Sequence, residues 1–438
     1  MFELFKNRNF LLLWLGRIVS KLGDGITTIA LSLWFINATG SPKLTGIYVV
    51  ISLVSKLAVL PIIGVVVDRF SRKKIIVYCD FLRGVILVFL AFVIKSDAIQ
   101  MSTQIGIIYV STVFISILSI LFTTAINSAT PNIIDKDMLK KSSGLIFSTN
   151  NIINIVAIVF GATLVAFFGF PICLLIDGIT FIISGISEIF IKFPKFVKQA
   201  QERVGYFTGF KQGLDYVKSY KLLLNLIVFF FIINFFLAPL NLVVFPFMIK
   251  SNFGDQGIFI FNKQYTSENI IILYQSTISI IMGLGGIITG IIKLLEKSKT
   301  DSLLKIPYFA IGIGTCTLLI GLVYLPSNVM SINHFIIYSM FCGIFFIRTI
   351  FSTMVNINIG LFMQQNVENE YRGRVMSVLS FVAQASMPLG ILITTLFIDY
   401  IDQLNVIFIF SGVLVMLSSL KLIAKVKNEN KKVPEFSE

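Results

Sequence analysis

Gly64-Val65-Val66-Val67-Asp68-Arg69-Phe70-Ser71-Arg72-Lys73-Lys74 is a short charged hinge between two apolar runs. Before it, residues 44–67 carry a single charge, Lys56; after it, residues 73–95 continue, interrupted by Asp80 and Arg83, to Lys95-Ser96-Asp97. A bilayer core of about 30 Å needs about 20 helical residues, and each run meets that length. Four cations gathered in a hinge, flanked by stretches with almost none, is the pattern of a chain that crosses a membrane and returns.

The same ruler applied outward gives twelve spans: 10–36, 44–67, 73–95, 103–127, 143–168, 171–191, 222–247, 270–294, 306–326, 335–362, 373–397 and 404–425. Spans five and six are parted only by Gly169-Phe170-Pro171. The composition agrees. Of 438 residues, 56% are hydrophobic and 13% charged, with 43 Phe, about half the charged fraction of a soluble domain. The net charge of +14 would suit nucleic acid only if it were gathered on one wettable face, whereas here it lies in clusters between apolar runs. One histidine, His334, excludes a multi-histidine metal centre and disfavours Ser-His or Cys-His catalysis. Cys79, Cys173, Cys316 and Cys342 sit inside apolar stretches without CxxC spacing, so they read as packing residues. The run after Lys6 and Arg8 is too long for a signal h-region and is expected to remain as span one.

With the N-terminus placed inside, 27 of the 36 Lys and Arg fall on the cytoplasmic side. Only Lys43, Lys95, Lys250 and Lys263 fall outside; Arg17, Lys21, Lys56, Arg83 and Arg348 lie within spans. The positive-inside rule then puts both termini in the cytoplasm and lets the basic loops meet anionic lipid. The expected organisation is a six-span bundle (1–191), a cytoplasmic linker (192–221), a second six-span bundle (222–426) and a polar tail (427–438). In the linker Tyr206, Phe207, Phe210, Leu214 and Val217 recur at helical spacing, as in a helix lying in the membrane interface. The outer segment 248–269 breaks the two-fold layout. Six plus six spans about a central cytoplasmic link is the plan of a rocking transporter.

The 64–74 hinge resembles the G-x-x-x-D-R/K-x-G-R/K-R/K loop of the major facilitator superfamily, with Ser71 in place of a glycine. Leu22-Gly23-Asp24, Asp80 with Arg83, Pro131, Asp177, Arg372-Gly373-Arg374-Val375 and Pro388-Leu389-Gly390 resemble, in order, the macrolide-efflux-like drug:proton antiporter branch. Two features depart from the antiporter pattern: span four lacks an Arg, and span five offers Gly161-Ala162 rather than Gly-Pro. The resemblance implies an all-α major facilitator fold with spans one, four, seven and ten around a cavity. It also implies a gating loop of Gly64, Asp68, Arg69, Arg72 and Lys73, with Asp68 meeting the start of span eleven at Arg372 and Arg374. A carboxylate is favoured at a helix N-terminus, which is the physical basis of such a latch.

A charge at mid-membrane costs about 2.5–3.5 kcal/mol on insertion scales and therefore faces protein or water. Arg17, Lys21 and Asp24 follow i, i+4, i+7 and fall within about 60° on one stripe of span one. Asp24 is the candidate proton carrier, with Lys21, Arg17 and Lys56 around it; the alternative is a fixed Asp24–Lys56 or Asp24–Lys21 pair that only orders helices. Asp80 and Arg83, at i, i+3, can pair locally, and with Asp177 they are read as a charge relay or a packing set. Asp177 and Glu188 lie near opposite ends of span six, where both are expected to reach water. Arg348 has no acid in its own span and must pair across helices, reach water or meet an anionic group. With Asn234 and Asn241 in span seven and Thr124 and Asn127 in span four, it makes up the candidate substrate cavity; interhelical hydrogen bonds are the alternative use of these polar groups. Gly286 and Gly290 form a GxxxG, read as close packing, and no GxxxxGK[ST] is present to suggest ATP.

Together these features point to a proton-coupled exporter of amphipathic drugs or secondary metabolites in a bacterial cell membrane. The partners expected are a small-molecule substrate, protons and lipid, with no cofactor, no metal and no nucleic acid, and a monomeric state. Uptake or facilitated diffusion of a solute, export of a peptide or siderophore, and a non-transporting membrane sensor or assembly partner remain the alternatives. An enzyme is the weakest reading, since no nucleophile and base converge.

Overall fold

A computed structural model describes residues 5–133, 138–191, 206–253, 258–260, 263–265, 267–295, 302–324, 334–401 and 403–430. The helices are α1 (Arg8–Thr39), α2 (Pro42–Arg69), α3 (Arg72–Lys95), α4 (Met101–Ile133), α5 (Leu139–Ile189), α6 (Tyr206–Ser219), α7 (Lys221–Pro239), α8 (Phe245–Phe253), α9 (Ser267–Leu295), α10 (Ser302–Tyr324), α11 (His334–Asn366), α12 (Asn369–Phe397) and α13 (Asn405–Asn430). Two three-residue strands, β1 (Ile258–Ile260) and β2 (Lys263–Tyr265), pair within the outer segment. Ten helices among the described residues are long and apolar enough to cross a membrane. The first limb of α5 and α9, whose apolar core is Ile280–Gly290, occupy the other two expected spans. Apart from that short strand pair the described residues form helices, and the protein is an α-helical, multi-pass membrane protein.

Local chemistry sets the turns. Asn7 caps α1, its side-chain oxygen accepting from the N–H groups of Asn9 and Phe10. Gly40 ends that helix at φ 62 and returns its N–H to the Ile36 carbonyl. Ser41 then caps α2, with Pro42 in the first turn. At the Gly169-Phe170-Pro171 break, Gly169 takes φ 76 and divides α5 into two limbs. In the hinge, α2 runs through Arg69 and Ser71 has φ −63. No left-handed residue is needed at Ser71, which is why a serine can replace the glycine of the loop pattern.

The chain forms two compact units, Met1–Arg203 with Ile260–Ser276, and Val204–Phe259 with Thr277–Glu438. Each carries its own apolar core: Leu13, Ile63, Ile76, Phe122 and Ile126 in the first, and Leu223, Leu226, Ile306, Phe362 and Val375 in the second. Glycines let helices touch backbone to backbone. In the first unit a Cβ on Gly84 of α3 would lie 2.6 Å from the Gly178 carbonyl oxygen of α5, and one on Gly178 would lie 2.9 Å from that of Gly84. The second unit repeats the device between α10 and α13, where Gly314 and Gly412 approach each other at 2.9 and 2.8 Å by the same measure. The expected GxxxG behaves otherwise. Gly290 has open space around it, and the close approach in α9 comes from Gly285, whose Cβ would stand 3.1 Å from the Phe346 carbonyl of α11.

The linker helix α6 forms, but its apolar face is not left to lipid. Tyr216 stacks on Tyr371, Phe210 meets Phe381 edge-on and Val217 is buried, so α6 docks on α12 within the second unit. Cys79, Cys173 and Cys316 are buried free thiols and Cys342 is half-buried. Phe89, Phe92, Phe114 and Phe167 are exposed on the protein surface, where lipid tails take the place of water.

Candidate functional site

One helix organises the charges of the first unit. On α1, Gly16, Ser20, Gly23 and Thr27 follow a 4-3-4 spacing, which keeps them within about 60° on one face. A Cβ on Gly16 would stand 2.7 Å from Oε1 of Glu188, and the Ser20 hydroxyl donates to Asp80 Oδ2 at 2.5 Å. A Cβ on Gly23 would meet Asp177 Oδ1 at 2.6 Å, and the Thr27 hydroxyl donates to Asp177 Oδ2. Small residues on α1 thus leave room for three acids brought in by α3 and α5.

Asp24 lies on the neighbouring stripe. Its Oδ1 accepts from Arg83 Nη1 at 2.9 Å and its Oδ2 from the Ser119 hydroxyl of α4 at 2.8 Å. The alternative of a fixed lysine pair takes another form: Arg83, not Lys21 or Lys56, supplies the counter-charge. Arg83 also donates to Asp80, as the i, i+3 spacing suggested, and through Nε to the Cys79 carbonyl at 3.3 Å. Its guanidinium is held between the rings of Phe122 and Phe181, 4.6 and 4.4 Å from their centroids. The Arg83 side chain is wholly buried, while that of Asp24 is 27% exposed. Arg17, one turn below Lys21, donates to Asn127 of α4 at 2.7 Å, so the stripe does face α4. The Thr124 hydroxyl is turned back to the Ile120 carbonyl of its own helix.

Asp177 and Glu188 do not reach water. Both are 1% exposed, because their side chains point at the glycines of α1 rather than along the bundle axis. Position near a helix end does not fix which face a side chain takes. Asp177 is hydrogen-bonded; both oxygens of Glu188 lack a hydrogen-bond partner among the described residues.

Asp24 opens into a narrow cleft of about 20 Å³ between α1, α2 and α4. Thr27 and Thr28 from α1, Tyr48, Ser52 and Lys56 from α2, and Thr112, Ser116 and Ser119 from α4 give it a polar wall, with Leu31 and Ile115 as apolar patches. Lys56 therefore shares the cleft with Asp24 without being its ion-pair partner. The cleft has room for about one water molecule beside Asp24; among the described residues no cluster of His, Cys, Asp or Glu is placed to hold a metal.

In the second unit Arg348 pairs across helices. Its Nη1 donates to Asn241 Oδ1 at 2.9 Å, and its guanidinium lies 5.6 Å from the Phe345 ring. It is 6% exposed. Asn241 sits in a π-helical turn, Leu240–Val244, directly after Pro239. A π-turn inserts one residue and often marks a functional position; here it lets the helix continue through the proline and turns Asn241 toward α11. Asn234 bonds the Phe230 carbonyl of its own helix.

Around the hinge, Arg72 is buried and donates to the Ser128 carbonyl of α4 at 2.8 Å, Lys73 is half-buried and Arg69 exposed. The side-chain surroundings of Asp68 and of Gly64 lie outside the described residues. Arg372 bonds the carbonyls of Met363 and Val367 at 3.1 and 3.2 Å, which closes the C-terminal end of α11. Arg374 lies over the Tyr371 ring.

The sequence matches the Major Facilitator Superfamily over residues 13–391. It is similar to the MFS-type transporter YkuC of Bacillus subtilis, 26% identical with 95% of this chain and 91% of that one covered. It is 23% identical to macrolide efflux protein A of Streptococcus pyogenes, with 97% of each covered. Among solved structures the nucleoside transporter NupG superposes with a TM-score of 0.72 at 13% identity, covering 96% of this chain and 99% of NupG.

Proposed function

The chain belongs to the major facilitator superfamily, and from that premise we propose that it is a proton-coupled exporter of amphipathic drugs or secondary metabolites in a bacterial cell membrane. As a member of that family it is a transporter of small molecules across a membrane. The observation that carries the finer reading is the state of Asp24: a carboxylate tied to a buried guanidinium on one side and open to a polar cleft on the other. A proton delivered through the cleft would replace the cation as the partner of this carboxylate. Burial favours the neutral acid, and the cation or water favours the carboxylate. The relative named for macrolide efflux, matched over nearly all of both chains, supports export as the direction and macrolides as the first substrates to try.

In this account Asp24 takes up a proton from the cleft, its hold on Arg83 weakens, and Ser119 and Asp80 keep the neutral acid and the cation in place. Arg348 and Asn241 contribute polar contacts to the substrate from the second unit. Asp68, with Arg72, forms the cytoplasmic latch, the protein works as a monomer, and both termini face the cytoplasm. The test is efflux of macrolides and cationic dyes from an exporter-deleted bacterium, with and without a protonophore. Efflux that stops with the protonophore and is lost in Asp24→Asn supports the reading; efflux indifferent to both overturns it.

A further inference from the structure

Glu188 is used by nothing described so far. It is 1% exposed, neither oxygen has a hydrogen-bond partner among the described residues, and on α1 it packs against the bare backbone of Gly16. An ionised carboxylate left in that setting would carry the full cost of desolvation with no donor to offset it. A protonated one carries far less. Its charged neighbours come from α3: Asp80 and Arg83 act on it electrostatically, and Cys79 is the nearby thiol. On α1 the adjacent cation, Arg17, is bonded to Asn127 of α4. Gly185, one turn before Glu188 on α5, brings the backbone against Asp80, where a Cβ would lie 3.5 Å from that of Asp80.

We propose that Glu188 is a second proton-carrying carboxyl, joined to Asp24 through the Asp80–Arg83 pair and placed at the cytoplasmic end of the proton path; the relay role rests on the proton-coupled reading above. Gly16 precedes Asp24 by eight residues, which sets Glu188 about 12 Å farther along α1 at 1.5 Å per residue. Ser20 and Asp80 lie between. Arg83 bonds Asp24 and Asp80 and acts on Glu188 electrostatically, and the exchange balances without a change in total charge. Asp24–COOH with Glu188–COO⁻ becomes Asp24–COO⁻ with Glu188–COOH. One proton moves, and Arg83 keeps at least two carboxylates near it in both arrangements. The proton leaves Glu188 toward the cytoplasm in the state that admits water beside Gly16.

The experiment has two arms on the full-length purified protein. Infrared difference spectra between neutral and alkaline buffer, in detergent and without substrate or gradient, read whether Glu188 holds a proton. A protonated-carboxyl C=O band present in wild type, missing in Glu188→Gln and shifted in Gly16→Ala is expected. Bands identical in all three proteins overturn the proposal. The Gly16→Ala arm keeps the answer available if the glutamine variant folds poorly, since its added methyl reaches the carboxyl without removing it. In proteoliposomes, Glu188→Gln should slow pH-driven substrate movement about a hundredfold, the lower end of what a positioned proton-transfer group contributes, with substrate binding at equal pH unchanged. Wild-type rates in Glu188→Gln overturn the relay. Transport insensitive to pH in wild type would sink the proton-coupled reading itself, and the infrared arm would still decide whether Glu188 carries a proton.

Discussion

Replacing Arg83 by Met removes the one cation among the described residues that the buried acids of the first unit share. The side chain is fully buried, makes ion pairs with Asp24 and Asp80, and fills the gap between Phe122 and Phe181. Methionine keeps most of the volume, so the loss is electrostatic. Breaking a buried pair by deleting one partner costs about 3–5 kcal/mol, because the other charge is left uncompensated. Asp80 bears most of that cost, being wholly buried, and Asp24 less, since part of it meets the cleft. For a unit of about 200 residues, at roughly 2–4 °C per kcal/mol, the unfolding midpoint should fall by about 6–20 °C. A thiol-reactive dye follows this directly, because Cys79, Cys173 and Cys316 become reactive only when their helices part. Adding Asp24→Asn and Asp80→Asn to Arg83→Met removes the stranded charges and should recover most of the loss. A midpoint for Arg83→Met within about a degree of wild type, or a triple variant no better than the single one, would refute the cluster as the electrostatic centre of this unit.

Gly84→Leu should lower the same midpoint and the yield of folded protein, by at least the 1–3 kcal/mol typical of overpacking, since its Cβ alone meets the Gly178 carbonyl; Gly314→Leu in the second unit should do likewise, while Gly290→Leu, facing open space, should change neither. Arg348→Ala and Asn241→Ala are expected to weaken substrate binding by similar factors and to be no worse together, which a double-mutant cycle on equilibrium dye binding reads. Arg372→Ala frees the last carbonyls of α11 and should cost about 0.5–2 kcal/mol, the range for losing a helix cap, visible as faster proteolysis near residue 366 without loss of dye binding.

Much of this was legible in the chain. The 64–74 hinge, the spacing of apolar runs and the Gly169-Phe170-Pro171 break mark helices whose ends are written by local chemistry. The Asp80–Arg83 pair and the Arg17–Asp24 stripe are set by helical periodicity alone. The partner of Asp24 was not readable, because Arg83 lies 59 residues away and periodicity orders one helix at a time. Lys21 and Lys56 are nearer in sequence or in expected depth, yet neither takes the bond. Glu188 and Asp177 were misjudged as water-facing, since nearness to a span end says nothing of the face a side chain takes; the signal lay in α1, in the small residues Gly16, Ser20, Gly23 and Thr27. The Gly84–Gly178 and Gly314–Gly412 crossings have no GxxxG spacing, for each draws one glycine from each of two helices. The π-turn Leu240–Val244 directly follows Pro239, and the helix stays continuous because the inserted residue absorbs the lost hydrogen bond.

The most direct measurement is proton flow caused by substrate alone. Purified protein is reconstituted into liposomes enclosing a pH-sensitive dye, with equal pH on both sides, and a macrolide gradient is imposed. The account expects the lumen pH to change as substrate moves, in the sense of protons travelling opposite to the macrolide, with no change in Asp24→Asn liposomes. Macrolide movement with a constant lumen pH in wild type, or an undiminished pH change in Asp24→Asn, would contradict it.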